Sequence, residues 1–228
     1  MSRGREESLE RNGLVFFGTL TASVTHELNN VLSIVDQARG LLGDLTALAG
    51  TGGGIDPRRL ETIGERIDRQ VRKGVEILNR VNRFAHSLDD PAGEFDTDAE
   101  TENVVSLARR FADLKKVRLE YAPSVDSVRS SGDAFALLQG IFICLQRILD
   151  DSEEGDRIAC GVRRDGNDAV ISITASARCA VADDDPRIRH LARLMGSLDG
   201  AHRVRTDELG GTSFELRFPL ASGQHRGG

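Results

Sequence analysis

Ala22-Ser23-Val24-Thr25-His26-Glu27-Leu28-Asn29-Asn30 lies inside a proline-free stretch from about Glu7 to Ala49, and the reading of that stretch decides the fold. Apolar residues recur there every three or four positions: Leu14, Phe17, Thr21 as a weak member, Val24, Leu28, Val31 and Val35, continued by Leu41, Leu42, Leu45 and Leu48. That spacing predicts one stripe along a long helix. His26 and Asn30 are four residues apart and share a face, Glu27 lies beside the histidine, and Val24, Leu28 and Val31 turn toward the core. The imidazole is left at the solvent side of the stripe. An exposed imidazole next to a carboxylate suits phosphoryl chemistry, because the acid can hold the proton of one ring nitrogen and orient the other as nucleophile. The Asn30 amide could position a water or an incoming aspartyl phosphate through hydrogen bonds. The bland alternative is a surface histidine with no function. A zinc-protease reading fails, since it needs a second histidine where Asn30 stands.

Gly50-Thr51-Gly52-Gly53-Gly54 breaks the helix, and Asp56-Pro57 restarts one with an acceptor at the cap and proline in the first helical position. The second helix carries Leu60, Ile63, Ile67, Val71, Val75, Leu78, Val81, Ala85 and Leu88, with Arg58, Glu65, Arg69, Arg72 and Lys73 falling between them as a solvated outer face. Asp89-Asp90-Pro91-Ala92-Gly93 ends it. Two helices joined by a short loop make a hairpin, and a lone hairpin leaves much of each stripe exposed. Pairing with a second copy into a four-helix bundle covers those stripes, and so would packing on the C-terminal half of the same chain.

From Glu94 the pattern becomes mixed. Helices are expected over Asn103–Leu114, Asp133–Asp150 and Pro186–Leu198, and strands over Arg118–Tyr121, Asp156–Arg163, Ala169–Thr174, Ala201–Arg205 and Ser213–Phe218. Asp165-Gly166-Asn167 reads as a hairpin turn. The class is α+β: a helical hairpin over 1–90, a two-layer α/β sandwich over 94–220, and a disordered polar tail over 221–228.

A net charge of -6 argues against nucleic acid as a partner, because phosphate backbones call for basic surfaces. Trp is absent and Tyr occurs once, so stacking platforms for bases are not expected. No run approaches the ~20 apolar residues of a membrane span. The start, MSRGREESLE, lacks the apolar core of a signal peptide, so the address expected is cytoplasmic, with no membrane contact. Cys144, Cys160 and Cys179 show no metal-ligand spacing and read as buried free thiols. His86, His190 and His202 likewise lack ligand spacing, and Asp183–Asp185 and the Arg109-Arg110/Lys115-Lys116 cluster read as solvated surface.

Thr25-His26-Glu27-Leu28-Asn29-Asn30 resembles the H-box of the two-component sensor histidine kinase superfamily, His-Glu-x-x-Asn on the first helix of a dimerisation hairpin. The resemblance implies that His26 is the phosphoacceptor, Glu27 the base and Asn30 the residue that assists phosphatase chemistry. It continues beyond Glu94: Leu194, Gly200, Gly210-Gly211-Thr212-Ser213-Phe214 and Glu215-Leu216-Arg217-Phe218-Pro219 are similar to the end of the family's ATP-binding domain. The nucleotide residues depart from the family. Aligning Leu137-Leu138-Gln139 with its asparagine-bearing helix puts Ile143 and Arg147 where the asparagines belong. A guanidinium offers Mg²⁺ no oxygen and adds a repelling charge. Ala175-Ser176-Ala177-Arg178-Cys179 replaces the Asp-x-Gly-x-Gly box, and only a short acidic link replaces the ATP lid. The glycine-threonine turn is then expected simply to close the fold.

The resemblance thus implies a homodimer through the hairpin that exchanges phosphate between His26 and a response-regulator receiver domain. The receiver brings its own Mg²⁺, and this chain needs no cofactor. Two alternatives stay open: an active kinase with a divergent site for ATP and Mg²⁺, and a pseudokinase scaffold without phosphoryl transfer. No sensor domain is legible, so the input signal is expected to come from elsewhere.

Overall fold

In the computed structural model the backbone is described over residues 3–51, 54–90, 92–179, 181–182, 184–207 and 210–221, with side chains from Arg11 onward. Phe17–Asn82 forms one unit, and the described residues up to Phe16 and from Arg83 onward form the other.

The first unit is built from two helices, α1 over Arg3–Gly50 and α2 over Pro57–His86, each of which also runs into the second unit. Asp56 caps α2 by accepting from the Arg58 N–H at 2.9 Å. The helices run antiparallel: Glu27 and Val31 lie against Lys73 and Gly74, and Gln37, further along α1, lies against Arg66, earlier on α2. A Cβ on Gly74 would stand 3.4 Å from Val31 Cγ1, an ordinary contact distance, so the two helices lie side by side at this level. The single stripe expected for α1 divides into two faces. Leu20, Val24, Val31 and Ala38 are buried. Leu28 and Val35 are half-buried, and Leu32, Leu41 and Leu48 stay exposed. On α2, Ile63 and Ile77 are buried whereas Leu60, Val71, Val75 and Leu78 are exposed. An apolar stripe wider than one neighbour can cover leaves this second face open.

The second unit contains β1 (Glu94–Asp96), α3 (Thr97–Leu114), β2 (Arg118–Ala122), β3 (Arg129–Ser131), α4 (Ala134–Asp151), β4 (Arg157–Asp165), β5 (Asp168–Ala175), α5 (Pro186–Ser197), β6 (Ala201–Thr206) and β7 (Thr212–Pro219). Five strands form a sheet in the order β2-β4-β5-β7-β6, with β2 parallel to β4 and the other pairs antiparallel. Ile158, Cys160 and Val162 of β4, Ile171 and Ile173 of β5, and Phe214, Leu216 and Phe218 of β7 are buried on one face, and α3, α4 and α5 pack on the sheet. The result is the expected two-layer α+β arrangement. Gly166 takes φ +64° in the two-residue turn between β4 and β5, a conformation open to glycine at little cost.

Three boundaries differ from the sequence reading, each for a local reason. Helix α3 begins at Thr97 instead of Asn103, because the Asp96 carboxylate accepts from the Asp98 and Ala99 N–H groups and the polar first turns are in fact buried at Thr97 and Thr101. The short pair β1–β3 is too brief to show a period in the sequence. The tail expected from 221 begins in order: Leu220 bridges Ser130, and the Ala221 N–H donates to the Arg129 carbonyl at 2.9 Å, while residues 222–228 lie outside the described residues. Gly52, Gly53, Pro91 and Asp183 also lie outside them.

Phe16, at the edge of the second unit, was not part of the expected stripe. It is buried among Phe84 (centroids 5.4 Å apart, rings perpendicular), Phe135 and Phe142. Cys144, Cys160 and Cys179 are buried free thiols, and burial pushes the Cys160 thiol up to about 12. Among the described residues no helix is long and apolar enough to cross a membrane.

Gly200 follows α5, and a Cβ there would meet the Arg217 carbonyl oxygen at 2.5 Å and Phe218 Cβ at 2.8 Å. Gly200→Ala should therefore destabilise the α/β unit by about 1–3 kcal/mol. Urea unfolding followed by circular dichroism measures it, and an unchanged midpoint would show that the close approach is not required.

Candidate functional site

His26 projects from the exposed side of α1, as do Thr25, Asn29 and Asn30, because Val24 and Val31 take the buried side of the same turns. Its ring Nδ1 lies 3.3 Å from Asn30 Nδ2, one helical turn on. Among the described residues no hydrogen bond to Nε2 is found. Glu27, expected to hold a ring proton, is turned away: its carboxylate accepts from Lys73 Nζ of α2 at 3.0 Å. The three residues read from the sequence are thus on one turn, but they make two separate pairs, His26–Asn30 and Glu27–Lys73. Lys73 had been taken only as part of a solvated face.

In the second unit α4 and the start of α5 are joined by charge pairing. Arg147 of α4 is 8% exposed in its side chain and is held by Asp151 at 2.9 Å and by Asp185 at 3.4 Å. Asp185 also caps α5 by accepting from the Arg187 N–H at 2.8 Å, and the Arg187 guanidinium pairs with Asp150. Ile143 is buried one turn before Arg147. Beyond β5, Ala175, Ala177 and Cys179 are buried, and the Cys179 N–H donates to the Thr212 hydroxyl at 2.8 Å. Gly210 has φ +91°, and a Cβ on Gly211 would stand 2.7 Å from the Asp207 carboxylate and 3.0 Å from the Ala175 carbonyl oxygen. Both glycines are needed to close the turn, as expected.

Among the described residues no group of three or more His, Cys, Asp or Glu side chains is placed to hold an ion. His86 is exposed and paired with Asp89 at 2.7 Å. His190 is buried, and burial lowers its pKa.

No protein-family model matches the sequence, and no curated protein matches it. Solved structures do match. A histidine kinase from Burkholderia phymatum is 14% identical, with 90% of this chain and 98% of that one covered at a TM-score of 0.51. The Acinetobacter baumannii histidine kinase AdeS is 13% identical, with 86% and 98% covered at 0.50. Full-length ShkA in complex with AMPPNP is 14% identical, with 90% of this chain covering 46% of that one at 0.50.

The chain has the histidine-kinase fold.

In the kinases that the sequence resembles, Mg²⁺-ATP is held by the helix equivalent to α4 and by the segment after β5, and the residues present here do not fit that ligand. Mg²⁺ requires oxygen donors in near-octahedral array, and Ile143 and Arg147 supply none. The Arg147 guanidinium is already committed to two carboxylates. Asp150, Asp151 and Asp185 would meet a triphosphate with like charge. Ala175 has no acceptor for an adenine amino group. The i to i+4 spacing of Arg147 and Asp151 was legible in the sequence; the contribution of Asp185, from a distant segment, was not.

Removing one member of a buried ion pair leaves the others uncompensated. Arg147→Ala should cost about 3–5 kcal/mol in the α/β unit. Thermal unfolding checks this, and a loss below roughly 1 kcal/mol would place the network among weak surface pairs.

Proposed function

We propose that this chain is a phosphotransfer protein of two-component signalling, in which His26 takes a phosphoryl group from the aspartyl phosphate of a response-regulator receiver and passes it to a receiver aspartate. What supports this reading is an exposed imidazole on the hairpin of a histidine-kinase fold whose α4 carries Ile143 and an Arg147 paired with Asp151 and Asp185 in place of oxygen ligands. Phosphate must then come from outside the chain. His26 is exposed and among the described residues Nε2 has no hydrogen-bond partner, so it is the atom that would meet the incoming phosphorus. In the transfer the Nε2 lone pair forms the N–P bond as the bond from phosphorus to the aspartyl oxygen breaks. The leaving carboxylate takes the electron pair, Nδ1 keeps its proton, and the imidazole carries the positive charge that balances it. The hairpin contributes position and exposure rather than acid–base power. The Mg²⁺ of such a step belongs to the receiver. Response-regulator receivers work in the cytoplasm, and this chain would act there.

The same reading makes the protein a homodimer. Leu32, Leu41, Val71, Val75 and Leu78 are 46–64% exposed in the single chain, more than scattered surface residues explain. A second hairpin packed on them completes a four-helix bundle. Sedimentation should show a dimer for the wild type, and Leu32→Glu/Val71→Glu should shift it to monomer. A monomeric wild type at micromolar concentration would remove the bundle.

Incubation with a phosphorylated receiver should label the wild type through an acid-labile bond and leave His26→Ala unlabelled. A calorimetric titration with Mg²⁺-ATP should be flat. Heat of binding together with ATP-dependent labelling of His26 would return the protein to the active kinases. Receiver binding without transfer would make it a scaffold.

A further inference from the structure

Strand β6 ends the five-stranded sheet, with β7 on one side and, among the described residues, no strand on the other. The Asp207 N–H donates to the Gly211 carbonyl at 2.9 Å, and that bond sets the phase of the β6–β7 ladder. In an antiparallel pair, residues that bond to the neighbouring strand alternate with residues that do not. Counting back by twos, Arg205, Arg203 and Ala201 turn their backbone groups to β7. The N–H and C=O groups of His202, Val204 and Thr206 therefore point out of the sheet, and among the described residues no bond to them is found. The side chains alternate as well. His202 and Val204 stand opposite Leu216 and Phe214 on the helix-covered face, where Val204 and Thr206 border an open cavity of about 470 Å³ that Val181 and Ile188 also line. Arg203 and Arg205 are exposed on the other face, with no ion pair among the described residues. Glu215, across from Arg203, is paired with Arg163 and Arg217 instead.

We propose that the edge of β6 takes up an extended acidic segment of another protein as an added strand, with acidic residues at two alternate positions and an apolar residue between them. The outward backbone groups supply the main-chain bonds of such a strand. A carboxylate beside each of Arg203 and Arg205 meets a charge that has no acid of its own, and the intervening side chain falls on the cavity side, near Val204 and Ile188. A second copy of the chain is not the occupant. Residues opposite one another across a ladder share a face, so the antiparallel registers that overlap most of β6 set arginine against arginine. The charges that keep copies apart thus also select an acidic partner. This surface belongs to the α/β unit and does not depend on His26.

The test titrates the full-length protein into a short fluorescent peptide with Glu-Val-Glu at its centre, followed by anisotropy, and then reads amide exchange in the complex by ¹⁵N NMR. Binding should saturate below about 1 mM, weaken as salt is added, and be absent for the same peptide carrying Lys-Val-Lys. The amides of His202, Val204 and Thr206 should exchange more slowly in the complex, while those of Arg203 and Arg205, already bonded to β7, stay as they were. Arg203→Glu/Arg205→Glu changes only the exposed face and should keep the wild-type circular dichroism. It should bind the Glu-Val-Glu peptide at least about tenfold more weakly and take up the Lys-Val-Lys peptide instead. His26→Ala should bind as the wild type does. No binding at the stated concentration, slowed exchange at amides away from β6, or an affinity indifferent to charge reversal would each overturn the proposal.

Discussion

Arg147 carries a permanent positive charge to a side chain that is almost fully buried, and that charge dictates what surrounds it. A guanidinium out of water must be paired, or its desolvation outweighs the packing gained. Asp151 answers it from one turn further along α4, and Asp185 from the start of α5. Through Asp185 the same charge ties down the link after β5, because that carboxylate also caps α5. That pairing joins α4 to the start of α5 within the layer of helices.

The hairpin obeys a different constraint. Val31 lies beside Gly74 of α2, and one residue earlier Lys73 is within reach of Glu27. That pair is half-exposed and contributes little to stability. Its effect is on direction: it takes the carboxylate away from the neighbouring histidine and leaves Asn30 as the ring's partner.

Most of the architecture was legible because its signals are local and periodic. Steps of three and four gave both long helices, Asp56-Pro57 the start of the second, alternation the strands, and Asp165-Gly166-Asn167 the turn between β4 and β5. Where the reading fell short, the deciding contact was short or distant in sequence. The Asp96 cap moved the start of α3, the pair β1–β3 had too few residues to show alternation, and Phe16 found Phe84, Phe135 and Phe142 outside the stripe assigned to its helix. The single apolar stripe on α1 proved to be two, one facing α2 and one facing away, a distinction that period alone does not make.

For the site, the sequence by itself determined which residue types stand on one turn of α1 and which ligands are missing from α4 and the segment after β5, since both follow from identity and spacing along a single element. Only the tertiary structure decided how those side chains are paired. Glu27 meets Lys73 and Arg147 meets Asp185 across long separations in the chain, and such contacts are set by which helices are neighbours and in what register, which no local pattern encodes.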